Sequence, residues 1–271
     1  MWDAERAGAS SAGDDGLLRT MRGHVGRVGA AAWSSHLVAS GSRDRTILLR
    51  DVRAPGGEER LDAGYPESDP CVAARWDLHR SEVCGLRWSP DDRQLASGGN
   101  DNTAHVWEPG SRRPVHTVTS HRGAVKALAW SPHQRGLLAT GGGTADRSIR
   151  FHSIPAGAEL GGLDTGSQVC GLLWSRTTDE LVSTHGFSRN SVTVWRHLPG
   201  HPVGCARLAT LLAHDMRVLY LAASPDGRTV VTGSGDETLR FWSVFPGERG
   251  ERGGGVGGGG GGLLRHVQVR C

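Results

Sequence analysis

Short runs in which apolar residues alternate with small or polar ones recur along most of this chain, each closed by a cluster of turn-forming residues. Val83-Cys-Gly-Leu-Arg-Trp88 reads as one strand and Ser89-Pro90-Asp91-Asp92 as the turn that ends it. Gln94-Leu-Ala-Ser97 then reads as a second strand, and a Gly-x-Asp turn leads to a third that closes at Trp107. The same succession returns at Ser224-Pro225-Asp226-Gly227, Thr229-Val-Val-Thr232 and Trp242. The pattern predicts an all-β chain of short antiparallel strands.

The succession is a repeat. The frame His-x-x-x-Val-x-x-x-x-Trp starts at His24, His79 and His121 and survives in part at Thr165 and His214, with spacings of 55, 42, 44 and 49 residues. A unit of this length with a closing Asp and Trp marks a WD-repeat β-propeller, in which each unit is one four-stranded blade. Residues 21–245 hold five such units. The long first spacing is traced to residues 62–77, read as an insertion between blades, either a surface loop or a stretch retained from an unprocessed message. Residues 1–20 read as a disordered leader and 246–271 as a Gly-rich disordered tail with the run Gly253–Gly262 interrupted only by Val256.

Composition narrows the function classes. A formal net charge of +3, spread over the units and almost all arginine (Lys126 is the lone lysine), does not predict nucleic-acid binding. No apolar run is long enough for a transmembrane helix. The five cysteines lack metal-ligand or disulfide spacing, so neither a metal site nor a cofactor is expected. A reducing compartment, nucleus or cytoplasm, is the expected location.

One His, one Ser or Thr, one Asp and one Trp recur together: His79, Ser97, Asp101 and Trp107 in the second unit, His214, Thr232, Asp236 and Trp242 in the fifth. A catalytic triad occurs once per site, not once per blade, so these are read as structural ties from indole to hydroxyl to imidazole to carboxylate. No catalytic residue is predicted. The set erodes elsewhere. His152 stands at the Trp place of the third unit beside His121, Thr140 and Asp146, and Arg50 at that of the first beside His24, Ser40 and Asp44. The fourth unit keeps Ser183 and Trp195, with Thr165 at the His place and Arg189 at the Asp place.

Several segments are more particular than a generic repeat demands. They include Glu82-Val-Cys-Gly-Leu86, Ala96-Ser-Gly-Gly-Asn-Asp-Asn102, Gly141-Gly-Gly-Thr-Ala-Asp-Arg147, Asp164-Thr-Gly-Ser-Gln-Val-Cys170, Glu180-Leu-Val-Ser-Thr-His-Gly186, Arg217-Val-Leu-Tyr-Leu-Ala222 and Gly235-Asp-Glu-Thr-Leu-Arg-Phe-Trp242. Together these resemble the fizzy/fizzy-related family of WD-repeat proteins, the fizzy-related branch most closely. The resemblance implies a non-catalytic activator and substrate receptor of the anaphase-promoting complex, a ubiquitin ligase. Its implied partners are the subunits of that complex and degron-bearing substrates such as cyclins.

Carried over by motif, the resemblance places a Lys-Glu-Asn degron pocket on Asn100, Asn102, Thr144, Gln168 and Arg217, and a destruction-box contact on Glu237. Taken singly, Asn and Thr in turns serve turn geometry and Arg217 and Glu237 are solvated charges; the motif context makes them a set. Val269-Arg270 resembles the family's ligase-docking Ile-Arg tail, except that Cys271 follows it. The family closes its propeller with seven blades and carries a basic docking motif before them. The five units here correspond to the last five, and residues 1–20 lack that motif, which reads as a truncated chain or gene model. Self-association through the open sheet edges is therefore expected. The alternatives are a WD-repeat interaction scaffold without the degron role and a truncated product without function.

Overall fold

The computed structural model describes residues 20–54, 71–187, 189–201 and 204–245. These form nineteen strands in five antiparallel sheets, each a meander in chain order. The first blade is β1 (Val28–Ser34), β2 (Leu37–Ser42), β3 (Ile47–Asp51) and β4 (Val72–Trp76). The second is β5 (Val83–Trp88), β6 (Leu95–Gly99), β7 (Ala104–Trp107) and β8 (His116–Val118). The third is β9 (Val125–Trp130), β10 (Leu137–Gly142), β11 (Ser148–Ser153) and β12 (Ala158–Asp164). The fourth is β13 (Val169–Trp174), β14 (Glu180–His185), β15 (Ser191–His197) and β16 (Cys205–Leu212). The fifth has three strands, β17 (Val218–Ala223), β18 (Thr229–Ser234) and β19 (Leu239–Ser243).

The core is not central but lies in four apolar slabs, one between each consecutive pair of blades. Between the first two blades Ile47, Leu49 and Trp76 meet Val83, Trp88 and Trp107. A repeated device sets the spacing. In the three middle blades the tryptophan closing the inner strand donates its indole N–H to the inner strand of the blade before it: Trp88 to the Ala32 carbonyl (3.3 Å), Trp130 to Arg87 (3.0 Å) and Trp174 to Ala129 (3.2 Å). Opposite, Gly41 and Gly141 leave room for Val83 and Val169; a Cβ at either would come within 2.5 Å of the valine Cγ1. No core cluster joins the fifth blade to the first among the described residues, so the five blades form an arc with two open end faces.

Part of the stretch read as an insertion is framework. Residues 72–76 are β4, paired with β3 from Ile47↔Trp76 to Arg50↔Val72, and Trp76 is buried and stacked on Trp107 at 4.9 Å between ring centroids. The inward alternation of Val72, Ala74 and Trp76 carries it. Residues 62–70 lie outside the described residues, as do 1–19 and the Gly-rich tail with Val269 and Arg270.

Candidate functional site

In the second and fifth blades one complete hydrogen-bond chain runs across the sheet. In the second blade Trp107 donates its indole N–H to Ser97 Oγ (2.8 Å), which lies 2.9 Å from His79 Nε2, and His79 Nδ1 faces Asp101 Oδ2 at 3.0 Å. The acid can only accept there, so the ring donates from Nδ1 and takes the Ser97 hydroxyl proton at Nε2. Asp101 also accepts the Arg80 amide (2.7 Å) and the Thr103 hydroxyl (2.7 Å). Burial opposes its ionisation, but the bonds from His79, Arg80 and Thr103 outweigh that and hold the carboxyl below the usual range. The fifth blade repeats the set with Trp242 to Thr232 (2.8 Å), Thr232 to His214 (2.8 Å) and His214 to Asp236 (2.9 Å). Ser97 and Thr232 are fully buried and each already serves two neighbours, so these hydroxyls are ties between strands.

The eroded blades find substitutes. Arg50 donates to Ser40 Oγ (3.2 Å) in the first blade, and His152 Nε2 lies 3.0 Å from Thr140 Oγ1 in the third, where His121 also bonds to Asp146. In the fourth blade Thr165, at the His place, instead donates its hydroxyl to the Arg147 carbonyl (2.8 Å). His185 supplies the ring, 2.7 Å from Ser183 Oγ. Residues two apart on a strand share a face, which is why His185 can reach Ser183 without the loop.

The turn after each second strand decides what the blade presents to solvent. The framework Asp caps the amide two residues on, as in Asp101 to Thr103 (3.2 Å) and Asp236 to Thr238 (3.0 Å). The residue between is driven to positive φ: Arg45 at 72°, Asn102 at 65°, Arg147 at 61° and Glu237 at 64°. The left-handed conformation is thus a property of the turn, and it displays Asn102 and Glu237 from equivalent places in blades two and five.

All six predicted degron residues fall in loops at one face. Asn100 and Asn102 share the β6–β7 turn, Thr144 lies in β10–β11 and Glu237 in β18–β19, while Gln168 precedes β13 and Arg217 precedes β17. Three are drawn together. The Gln168 and Arg217 side chains both lie against Gly186, and the Arg217 carbonyl accepts the Gly235 amide (3.2 Å) from the turn that carries Glu237. The exposed Phe187 lies beneath Arg217, whose guanidinium carbon is 4.5 Å from the ring centroid. Among the described residues Arg217 makes no ion pair, and Gln168 Oε1 is buried without a hydrogen-bond partner. Asn100 is tied to the Glu82 carbonyl through its amide (2.8 Å), leaving its side chain exposed. Among the described residues no hydrogen bond or ion pair joins Asn100, Asn102 or Thr144 to Arg217.

Sequence reasoning missed Phe187, which lies in a loop outside the repeat frame, and the inner-strand Lys126. The charge of Lys126 acts on both Cys84 and Cys170, whose thiols burial pushes up to about 12 and about 11. Its being the one lysine in the chain was the available signal. A concavity of about 1260 Å³ lies on the opposite face, lined by Asp91, Glu108, His133, Arg135 and Pro155 among others, and includes none of the predicted residues. Among the described residues there is no cluster of metal-ligating side chains and no helix long and apolar enough to cross a membrane.

Comparison with known proteins places this geometry in a family. The family model for the CDC20/Fizzy WD40 domain matches residues 10–242. The B-type cell cycle switch protein ccs52B of Medicago truncatula is 55% identical over 229 residues, covering 84% of this chain and 43% of that protein. Protein FIZZY-RELATED 3 of Arabidopsis thaliana is 53% identical, with 84% and 44% covered. The anaphase-promoting complex subunit cdh1 of Dictyostelium discoideum is 45% identical, with 86% and 32% covered. The chain therefore spans less than half the length of these relatives. In the crystal structure of the mitotic checkpoint complex, one chain superposes with a TM-score of 0.76 at 44% identity, over 84% of this chain and 65% of that one. The chain belongs to the CDC20/Fizzy WD40-domain family.

Proposed function

We propose that this chain is the degron-reading part of an anaphase-promoting complex activator, a receptor that holds Lys-Glu-Asn peptides on its loop face and presents their owners for ubiquitination. The observation that carries the reading is the pairing of Arg217, stacked on Phe187 and without an ion-pair partner among the described residues, with the buried, unpartnered Gln168 Oε1. A guanidinium fork takes a carboxylate, and an orphaned amide oxygen is stabilised by an N–H donor. A short peptide with a glutamate flanked by lysine and asparagine supplies both. The exposed Asn100, Thr144 and Glu237 and the partly exposed Asn102 extend the polar rim on which such a peptide would lie, Glu237 being suited to the arginine of a destruction box.

The names of the relatives support the partners: an anaphase-promoting complex subunit and a mitotic checkpoint complex chain are both similar to this one. A nuclear and cytoplasmic location follows from that role. The test is fluorescence anisotropy with a labelled Lys-Glu-Asn peptide and its scrambled control. Binding to the first alone is expected, weakened about 10- to 100-fold by Arg217→Ala, since a hydrogen bond to a charged group contributes about 1.5–3 kcal/mol. Equal binding of both peptides, or affinity unchanged by Arg217→Ala, would leave a WD-repeat scaffold without degron selectivity.

A further inference from the structure

The fifth blade stops one strand short. Blades one to four each pair a fourth, outer strand with the third, whereas β19 has β18 on one side and no strand on the other among the described residues. Such an edge leaves a row of N–H and C=O groups unpaired. The first blade shows which ones. Asp51 donates its amide to the Cys71 carbonyl (2.9 Å), so Asp51, Leu49 and Ile47, on alternate positions, face the outer strand. The β18–β19 register repeats that of β2–β3, setting Leu239, Phe241 and Ser243 at the places of Ile47, Leu49 and Asp51. Ile47 and Leu49 are buried, while Leu239 and Phe241 are exposed.

We propose that Val267-Gln268-Val269-Arg270-Cys271 of the same chain docks antiparallel on β19 as the fourth strand of the fifth blade. Its alternation matches β4 position by position: Val267, Val269 and Cys271 take the inward places of Val72, Ala74 and Trp76, and Arg270 the outward place of Arg75. The connection is long enough. In the first blade 20 residues, 52–71, separate the third strand from the fourth; here 23 residues, 244–266, are available and include the Gly-rich run. A covalent tether of this length supplies its strand at high effective concentration. The β3–β4 register carried across puts Val269 opposite Phe241 and Cys271 opposite Leu239. It also puts Arg270 opposite Arg240, a like-charge pair that weakens the docking without moving the register. The inference is independent of the degron reading. A seated strand withdraws Val269 and Arg270 from any second docking surface.

Leu239→Cys in the full chain tests it. Hydrogen-bonded antiparallel partners hold their Cα atoms about 5.5 Å apart, within disulfide range. Mild oxidation at low protein concentration should join the introduced thiol to Cys271 within one molecule, as read by peptide mapping. Hydrogen exchange over residues 238–244 should speed up about 10-fold in Val269→Pro, which removes an amide and fixes φ. Arg270→Glu should slow it by opposing Arg240 with a negative charge. No disulfide together with exchange indifferent to Val269→Pro would overturn the proposal. So would a disulfide formed only between molecules and rising with concentration, which would assign the edge to a second copy.

Discussion

Val83 and Val28 hold the same repeat position, five residues before the inner-strand tryptophan, yet Val83 is fully buried and Val28 is 50% exposed. Trp88 spans to the Ala32 carbonyl of the blade before it; Trp33, its counterpart, folds its indole N–H onto the Ser35 carbonyl of its own turn (2.8 Å) and is 54% exposed. At the far end Gly233 stands where Gly41, Gly98 and Gly141 receive the next blade, but a Cβ there would meet only Leu239 and Tyr220 of its own sheet. The residues that make a blade-to-blade face are thus present at both ends of the arc. What differs is the neighbour. A side chain shaped for burial stabilises nothing until a second sheet removes its surface from water, at roughly 25 cal/mol per Å².

The largest expected break between middle and end blades comes from acid. His105, His152 and His185, in blades two, three and four, are buried, and burial pushes each imidazole down to about 4 from an ordinary 6.5. Between those values the unfolded chain holds the proton and the folded one does not. Stability is therefore complete above 6.5 and is lost as pH falls towards 4, by on the order of 2 kcal/mol per ring. Urea midpoints measured from pH 7 to 4 should fall steeply, and His152→Gln should flatten the slope. A flat profile would mean that these rings are wetter than their packing indicates.

Backbone contact gives the next largest contrast. A Cβ at Gly98 would run into the Val125 carbonyl of the third blade, backbone that cannot give way. Gly98→Ala should cost about 3 kcal/mol or more. Gly233→Ala, with a 3.2 Å approach to the end of the Leu239 side chain, should stay within about 0.5 kcal/mol. The hydroxyl ties follow. Ser97→Ala strands the Trp107 indole and His79 Nε2 in a sealed site and should cost about 2–3 kcal/mol. Ser40→Ala in the first blade, where Arg50 keeps its bond to the Arg22 carbonyl (2.5 Å), should cost about 1 kcal/mol. Equal losses at Ser40 and Ser97 would show that the end blade is as rigid as the middle ones.

How much of this was readable beforehand follows from which contacts are local. The His79-to-Trp107 frame names its strands, its turn and its tie because all four residues fall within one unit. Asn100 and Asn102 were readable for the same reason, both sitting in the turn that Asp101 caps. The strand at 72–76 was hidden because the long approach to it masks the repeat spacing, although Val72, Ala74 and Trp76 alternate as any outer strand does. His185 was hidden because the tie it makes with Ser183 lies within a single strand, where the frame looks for an upstream loop residue. Gln168 and Arg217 were brought together only by the family resemblance, and their packing against Gly186 and Phe187 was beyond reach, since it depends on how blades four and five pack.

The smallest contrast is the most direct probe of the open faces. Trp88→Phe should lose the hydrogen bond to Ala32 and part of the first slab, about 1–2 kcal/mol. Trp33→Phe should lose under about 0.5 kcal/mol, because its indole is half in water and bonded only to its own turn. Thermal melts of both variants at two protein concentrations read the difference. If Trp33→Phe became as costly as Trp88→Phe at the higher concentration alone, the end face would be covered by another molecule. If it were as costly at both, the first blade would be sealed within the chain, and the arc would be closed in solution.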